Sequence, residues 1–206
     1  MKENKSTKFF ELTSKLVMST FHASLVDDQI DLDELNLDIC LFNGEYENLR
    51  FPIQFKQTDG KKLTDILDTG YPNLYLISER LKLLLEEQQF NGWKIYPVEV
   101  RDKKNQNVNE YHGFSIIGKC DSVDYEKSTV IEKKLVPEGP ICKFYKGIMI
   151  EGWDGSDFFS PPKTLHIFVT EKVVRVIKKH KITNLKFQDL EKSETNFITN
   201  PKRHSK

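Results

Sequence analysis

Two segments of the chain can be laid on one another at a constant shift of 92 residues, from Tyr75 to Ile167. The first reads YLISERLKLLLEEQQFNGWKIYPV and the second IFVTEKVVRVIKKHKITNLKFQDL. Each begins with a short apolar run typical of a buried strand, followed by Ser78-Glu79 or Thr170-Glu171. A hydroxyl can cap free N–H groups at a helix start, and Glu suits the positive end of the helix dipole. Both segments therefore predict a strand that leads into a capped helix.

The residues after each predicted cap have helical spacing. The apolar positions are Leu81, Leu84 and Leu85 in the first segment, and Val173, Val176 and Ile177 in the second. A polar turn, Asn91-Gly92 or Thr183-Asn184, then leads into alternating apolar and polar residues typical of a strand. Asn tolerates the left-handed backbone that Gly adopts freely, so both turns can form.

These patterns predict an α+β fold. We expect a mixed or mainly antiparallel sheet whose helices come from a twice-repeated strand-helix-strand unit. Strand and helix alternation is common, so a chance similarity between the two segments stays open.

The rest of the chain indicates mostly strands and loops. Strands are expected from Phe51, from Tyr111 and between Lys143 and Ile150, and a short helical segment over 63–67. We expect residues 1–190 to form a single domain, although it is open whether residues 1–60 belong to it. Residues 191–206 are polar, lack periodicity and predict a flexible tail.

Charge and cysteine content exclude several functions. Lys+Arg 31 balance Asp+Glu 31, so no overall field would attract nucleic acid or an anionic membrane. The amino terminus has no apolar run of the length that a signal peptide needs, which predicts a cytoplasmic protein. The three cysteines, Cys40, Cys120 and Cys142, lie far apart and are interpreted as reduced core thiols.

Motifs for nucleotide binding, hydrolysis or metal coordination are absent from the sequence, so we expect no cofactor, no metal and no catalytic residue. The five histidines are isolated from one another. The best candidate for a special site is the loop from Trp153 to Asp157. Its carboxylates, Asp154 and Asp157, could bind a cation or share acid/base chemistry. We favour a turn in which Asp154 and Ser156 bond their own backbone, Gly155 has a positive φ, and Trp153 with the following phenylalanines anchors the loop.

Acidic residues form a second candidate site. The run VDDQIDLDELNLD includes Asp31, Asp33 and Glu34, and the first predicted helix ends at Glu86-Glu87, against the preference of the helix dipole. Either group could contact a basic partner, or both could simply be solvated.

The stretches LYLISERLKLLLEEQQFNGWKIYPVEV, CDSVDYEKS and WDGSDFFSPPKTLHIFVTEKVVRVIKKHKITNLKF resemble a family of bacterial immunity proteins from polymorphic toxin systems. The resemblance spans roughly residues 63 to 190 and carries no catalytic residues. It implies a non-enzymatic protein that neutralises a cognate toxin by stoichiometric binding. The toxin-contact residues expected are Asp31, Asp33, Glu34, Glu86, Glu87, Trp153, Asp154 and Asp157. A metal-dependent hydrolase using Asp154 and Asp157, or a non-catalytic adaptor, are the alternatives.

Overall fold

The computed structural model describes residues 7–26, 37–47, 49–124, 126–134 and 136–195, which contain three helices and seventeen strands. The helices are α1 (Leu37–Asn43), α2 (Glu79–Glu87) and α3 (Glu171–Lys179). The first eight strands are β1 (Phe9–Ser14), β2 (His22–Leu25), β3 (Ile53–Asp59), β4 (Ile66–Asp68), β5 (Tyr75–Ser78), β6 (Trp93–Tyr96), β7 (Val98–Arg101) and β8 (Tyr111–Ile116). The others are β9 (Gly118–Lys119), β10 (Ser122–Asp124), β11 (Thr129–Lys134), β12 (Ile141–Lys146), β13 (Met149–Glu151), β14 (Phe158–Ser160), β15 (Ile167–Thr170), β16 (Leu185–Asp189) and β17 (Glu194–Thr195). The described fold is mostly sheet, with mixed strand directions, which confirms the α+β class.

The largest sheet has seven strands in the order β6-β8-β5-β4-β2-β3-β7. Its neighbours are antiparallel except for the pairs β2–β4 and β3–β7. In β3, Ile53 and Phe55 are buried while Gln54 and Lys56 are exposed, because successive side chains point to opposite faces. The strand predicted from the alternation after Phe51 is confirmed.

A second sheet has five strands in the order β16-β1-β15-β14-β9. Strand β1 lies between β15 and β16 and is antiparallel to both, with Leu12 opposite Ile167 and Phe187. The amino-terminal strand is thus paired along both edges with strands from the far end of the chain. Strands β14 and β15 are buried along their whole length because each face of this sheet carries a separate apolar cluster.

The two apolar clusters divide neighbouring residues of one strand between them. Phe158 belongs to the larger cluster, which also contains the core of the seven-stranded sheet, whereas Phe159 packs in the smaller one. The smaller cluster is completed by Cys120, Val123, Ile148, Phe168 and Leu190. The five-stranded sheet therefore lies between two cores.

The two similar segments form β5–α2–β6 and β15–α3–β16. Strand β5 begins at 75 and β15 at 167, α2 at 79 and α3 at 171, and β6 at 93 and β16 at 185, so each pair of starts keeps the shift of 92. In both segments the two strands flank a third, antiparallel strand, β8 or β1. That the segments are copies of one repeated unit stays a prediction.

The two predicted helix caps differ in the structure. The Ser78 hydroxyl accepts a hydrogen bond from the Leu81 N–H at 3.2 Å, as predicted. Thr170 occupies the same position before α3, but its side chain makes no cap bond, so that prediction was wrong. The Thr170 hydroxyl instead donates to Asp157 Oδ1 at 3.1 Å.

The helical segment predicted over 63–67 is also wrong. Ile66–Asp68 form the fully buried strand β4, which pairs with β5 on one side and β2 on the other. A short apolar run does not reveal its period, so sequence pattern alone cannot separate a central strand from a helix turn.

Two smaller sheets, β10-β13 and β11-β12-β17, complete the described fold. Of the three cysteines, only Cys120 is buried; Cys40 and Cys142 are partly exposed, so the interpretation as core thiols holds for one of them. Residues Glu194–Thr195, within the predicted tail, pair with β12. Residues 196–206 lie outside the described part of the chain.

Candidate functional site

The loop from Trp153 to Asp157 forms the turn that the sequence favoured. Asp154 Oδ1 accepts hydrogen bonds from the N–H of Ser156 at 2.9 Å and from its hydroxyl, and Oδ2 accepts from the Lys119 N–H at 2.7 Å. Gly155 has a φ of 88°. Partial burial opposes ionisation of Asp154, but these hydrogen bonds outweigh it and lower its pKa. Both carboxylate oxygens are used within the chain.

Trp153 anchors this loop to the five-stranded sheet. Its indole N–H donates to the Ser156 carbonyl at 2.9 Å, and its ring meets Phe9 edge-on with centroids 5.0 Å apart. Phe9 in turn packs edge-on against Phe159 at 5.2 Å. Such pairs stabilise a loop without any ligand.

Asp157 joins the beginning of β14 to both strand-helix-strand segments. Its Oδ1 accepts from the Thr170 hydroxyl before α3, and its Oδ2 accepts at 3.3 Å from the N–H of Asn91, in the turn after α2. The Asp157 N–H donates to Asn91 Oδ1 at 2.8 Å. Two such sets of hydrogen bonds occur in the chain, and we call them clasps; this one, at Asp157, is the second clasp in chain order.

Asp65 makes the corresponding set of bonds at the beginning of β4, which we call the first clasp. Its Oδ1 accepts from the Ser78 hydroxyl, before α2, at 3.0 Å. Its Oδ2 accepts from the hydroxyl and the N–H of Thr183, in the turn after α3, at 2.7 and 2.8 Å. Arg80 Nη1 adds an ion pair at 3.0 Å from the exposed side.

Each clasp connects one strand-helix-strand segment to the other. Asp65 and Asp157 are separated by the same 92 positions that relate the two segments. Each carboxylate binds the residue before its own helix and the turn after the other helix. The clasps therefore join the seven-stranded sheet to the five-stranded sheet. Asp65 was not among the residues selected from the sequence, although the shift of 92 from Asp157 indicates it.

Asp154 and Asp157 both have hydrogen-bond partners within the fold. Both carboxylates accept hydrogen bonds from the chain itself. Across the residues that the structure describes, no three or more His, Cys, Asp or Glu side chains converge to hold a metal ion.

The acidic candidates are placed only in part. Glu86 and Glu87 are exposed at the carboxyl end of α2, whose last turn has no basic residue. Asp31, Asp33 and Glu34 lie outside the described residues. The structure does not bring Glu86 and Glu87 together with the Trp153–Asp157 loop in any described contact.

Two histidines have carboxylate partners that sequence spacing did not show. His166 Nδ1 lies 2.5 Å from Glu11 Oε1, and His112 pairs with Glu79 across β8 and α2. Hydrogen bonds from Lys82 and then His112 lower the pKa of Glu79. Both pairs join residues far apart in sequence, so they are consequences of the sheet pairing.

None of the described helices combines the length and apolar character that a membrane crossing requires.

No curated protein matches the sequence. A family model described as "Immunity protein family (Imm11)" matches residues 18–192, which is most of the chain and includes both clasps and the Trp153–Asp157 loop. The chain therefore belongs to the Imm11 immunity protein family.

Proposed function

We propose that this protein neutralises a cognate bacterial toxin by stoichiometric binding, without catalysis, in the cytoplasm of the cell that makes both proteins. The family match over residues 18–192 is the observation that carries the proposal. The internal use of Asp154 and Asp157 supports it, because the polar groups best suited to chemistry already stabilise the fold. Inhibition by binding needs a rigid scaffold with a complementary surface.

We propose residues 1–190 as one domain for this purpose. Strand β1 supports this, since it is hydrogen-bonded between β15 and β16 inside the five-stranded sheet. A segment so paired contributes to the same core as the rest of the chain.

Acidic residues are proposed to attract the toxin. The candidates are Glu86 and Glu87, which are exposed at the end of α2, and Asp31, Asp33 and Glu34, which lie outside the described residues. Charges at the rim of an interface mainly raise the association rate, and salt screens them. Trp153, Asp154 and Asp157 are proposed as a further toxin contact on their own loop, where Trp153 retains a partly exposed ring.

The test is co-expression with the toxin encoded beside this gene, scored by survival and then by co-purification. Rescue with a stable equimolar complex is expected. If the wild-type chain neither rescues the cells nor binds the toxin, neutralisation by this protein is refuted.

Charge reversal tests the acidic residues separately. We expect lysine at Glu86 and Glu87, or at Asp31, Asp33 and Glu34, to lower the association rate, with a larger effect at low salt. In the matched control, lysine replaces Glu126 and Glu138, two exposed residues that are not among the proposed contacts. An association rate equal to that of the control would reject the acidic contact and leave neutralisation standing.

A further inference from the structure

The loop between β1 and β2 exposes three consecutive apolar side chains. Leu16, Val17 and Met18 are 71%, 43% and 82% exposed. Single exposed apolar residues are ordinary, but a contiguous group indicates an interaction site. We call these three residues the apolar knob.

The apolar knob is held in a defined conformation. The Thr20 N–H donates to the Val17 carbonyl at 2.9 Å, and His22 Nε2 lies 3.3 Å from the same oxygen. The Ser19 carbonyl accepts from the N–H groups of Lys61 and Lys62 at 3.1 and 3.0 Å. These bonds fix the base of the loop, so presenting its tip to a partner loses little further entropy.

Leu16 also has a positive φ of 49°, which is unfavourable for a leucine. Its exposed side chain forms part of the wall of a cavity of about 530 Å³ shared with Tyr71, Pro72 and Tyr75. An apolar projection thus stands beside a recess with aromatic walls. A projecting apolar side chain and an aromatic recess are both features that anchor a protein–protein interface.

Four lysines lie near the knob. Lys15 adjoins it in sequence, Lys61 and Lys62 lie beside its base, and Lys186 lines the same cavity as Leu16. All four are exposed, and within the described parts of the chain none of them has an ion pair. We call them the lysine ring.

The carboxylates of Asp68 and Asp59 lie near the lysine ring and offset only part of the charge of its four lysines. Asp68 is buried within the cavity, where Asn184 Nδ2 donates to it at 3.4 Å. Asp59 is exposed but pairs with Lys103 at 4.0 Å. The whole chain has no net charge, so the positive charge of this face is a local feature.

We propose that the apolar knob inserts into an apolar recess bordered by carboxylates on the cognate toxin. This proposal rests on the proposed function and specifies its partner surface. The basic ring selects an acidic border through charge complementarity, and the apolar tip supplies the buried centre. The knob contact is separate from the acidic residues Glu86 and Glu87 and determines mainly the dissociation rate.

The test measures toxin affinity after Leu16→Asp and Met18→Asp are combined. An interface anchor of ordinary strength predicts affinity lower by about 30-fold or more, mostly through faster dissociation. The matched control is Ile141→Asp, since Ile141 is 63% exposed on β12. Urea unfolding of each free variant is compared with wild type, because changes at exposed positions should leave stability nearly unchanged.

Replacement of Lys15, Lys61, Lys62 and Lys186 by Glu tests the lysine ring. We expect a lower association rate and a weakened or inverted salt dependence. If the wild-type chain binds toxin and the knob variant binds equally well, the knob proposal is overturned while neutralisation stands. If the wild-type chain does not bind toxin, both proposals fail. Binding of wild type and the knob variant to vesicles of anionic phospholipid is measured as well. If the knob variant loses vesicle binding but keeps its toxin affinity, the knob contacts a membrane surface and the proposal is overturned.

Discussion

Replacing Asp65 by alanine removes the central acceptor of the first clasp. The carboxylate is buried and accepts three hydrogen bonds of 2.7 to 3.0 Å from Ser78 and Thr183. Hydrogen bonds to a charged group contribute about 1.5 to 3 kcal/mol each, but the freed groups of Thr183, an exposed residue, can bind water instead. The ion pair with Arg80 adds little because that side chain is 57% exposed. We therefore expect a loss of about 3 kcal/mol in the free energy of unfolding.

The second clasp gives an internal comparison. Asp157 is only partly buried and its bonds to Asn91 and Thr170 are longer, at 3.3 and 3.1 Å, so Asp157→Ala should cost about 1 kcal/mol. Asp59→Ala is the control, since that side chain is 69% exposed and should change stability by less than about 0.5 kcal/mol. The expected order of destabilisation is thus Asp65, then Asp157, then Asp59.

Urea unfolding followed by fluorescence of Trp93 and Trp153 measures these differences, with the slope checked for constancy across variants. In thermal unfolding, the Asp65 variant should melt about 6 to 12 °C below wild type, given about 2 to 4 °C per kcal/mol for a chain of this size. A loss below about 1 kcal/mol for Asp65→Ala, or a larger loss for Asp157→Ala, would refute the assignment of the first clasp as the stronger link between the sheets.

Three further predictions concern other sites. Gly92→Ala should lower the free energy of unfolding in urea by more than about 3 kcal/mol, because the new Cβ would lie 2.0 Å from a backbone oxygen. Gly155→Ala should lower it by only about 1 kcal/mol, the cost of a positive φ, because nothing lies within 4 Å of its Cβ. Equal losses for the two variants would contradict this. The lowered pKa of Glu79 contributes stability that is fully present above its ordinary pKa of 4.5 and is lost as the pH falls through the lower folded value. Glu79→Gln should therefore show a smaller fall in stability below pH 4.5 than wild type, and parallel stability–pH curves would exclude this contribution. Iodoacetamide should modify Cys142 well before Cys120 in the native protein, because burial raises the pKa of Cys120 to about 11; peptide mass spectrometry showing equal rates would disprove that protection.

Local sequence signals predicted the elements whose cause is local. The start of α2 follows from Ser78, whose hydroxyl needs only the next helical turn to form its cap. The turn at Trp153–Asp157 follows from Asp-Gly chemistry, since Asp154 binds a residue two positions away. Thr183-Asn184 was predicted as a turn, and Asn184 has the expected positive φ of 63°. In each case the deciding contacts lie within a few residues.

Contacts between distant residues decided the elements that were predicted wrongly. Ile66–Asp68 form a strand because β2 and β5 pair with both edges, and no residue near them carries that information. The Thr170 hydroxyl, expected as a cap, donates to Asp157, which tertiary structure brings to it. The predicted contact residues Asp31, Asp33 and Glu34 stay predictions, as they lie outside the described residues.

The sequence by itself determined the α+β class and the two strand-helix-strand segments at their shift of 92, because both depend on period, capping and turn chemistry, which act over one or two helical turns. The immunity family follows from the resemblance of whole stretches of sequence and the family match over residues 18–192. Only the tertiary structure decided that β1 lies between β15 and β16, that Asp65 and Asp157 clasp each other's segments, and that Leu16 to Met18 stand exposed within a lysine ring. Sheet order and surface exposure depend on which distant strands share hydrogen bonds and cores, and a one-dimensional pattern does not specify those partners.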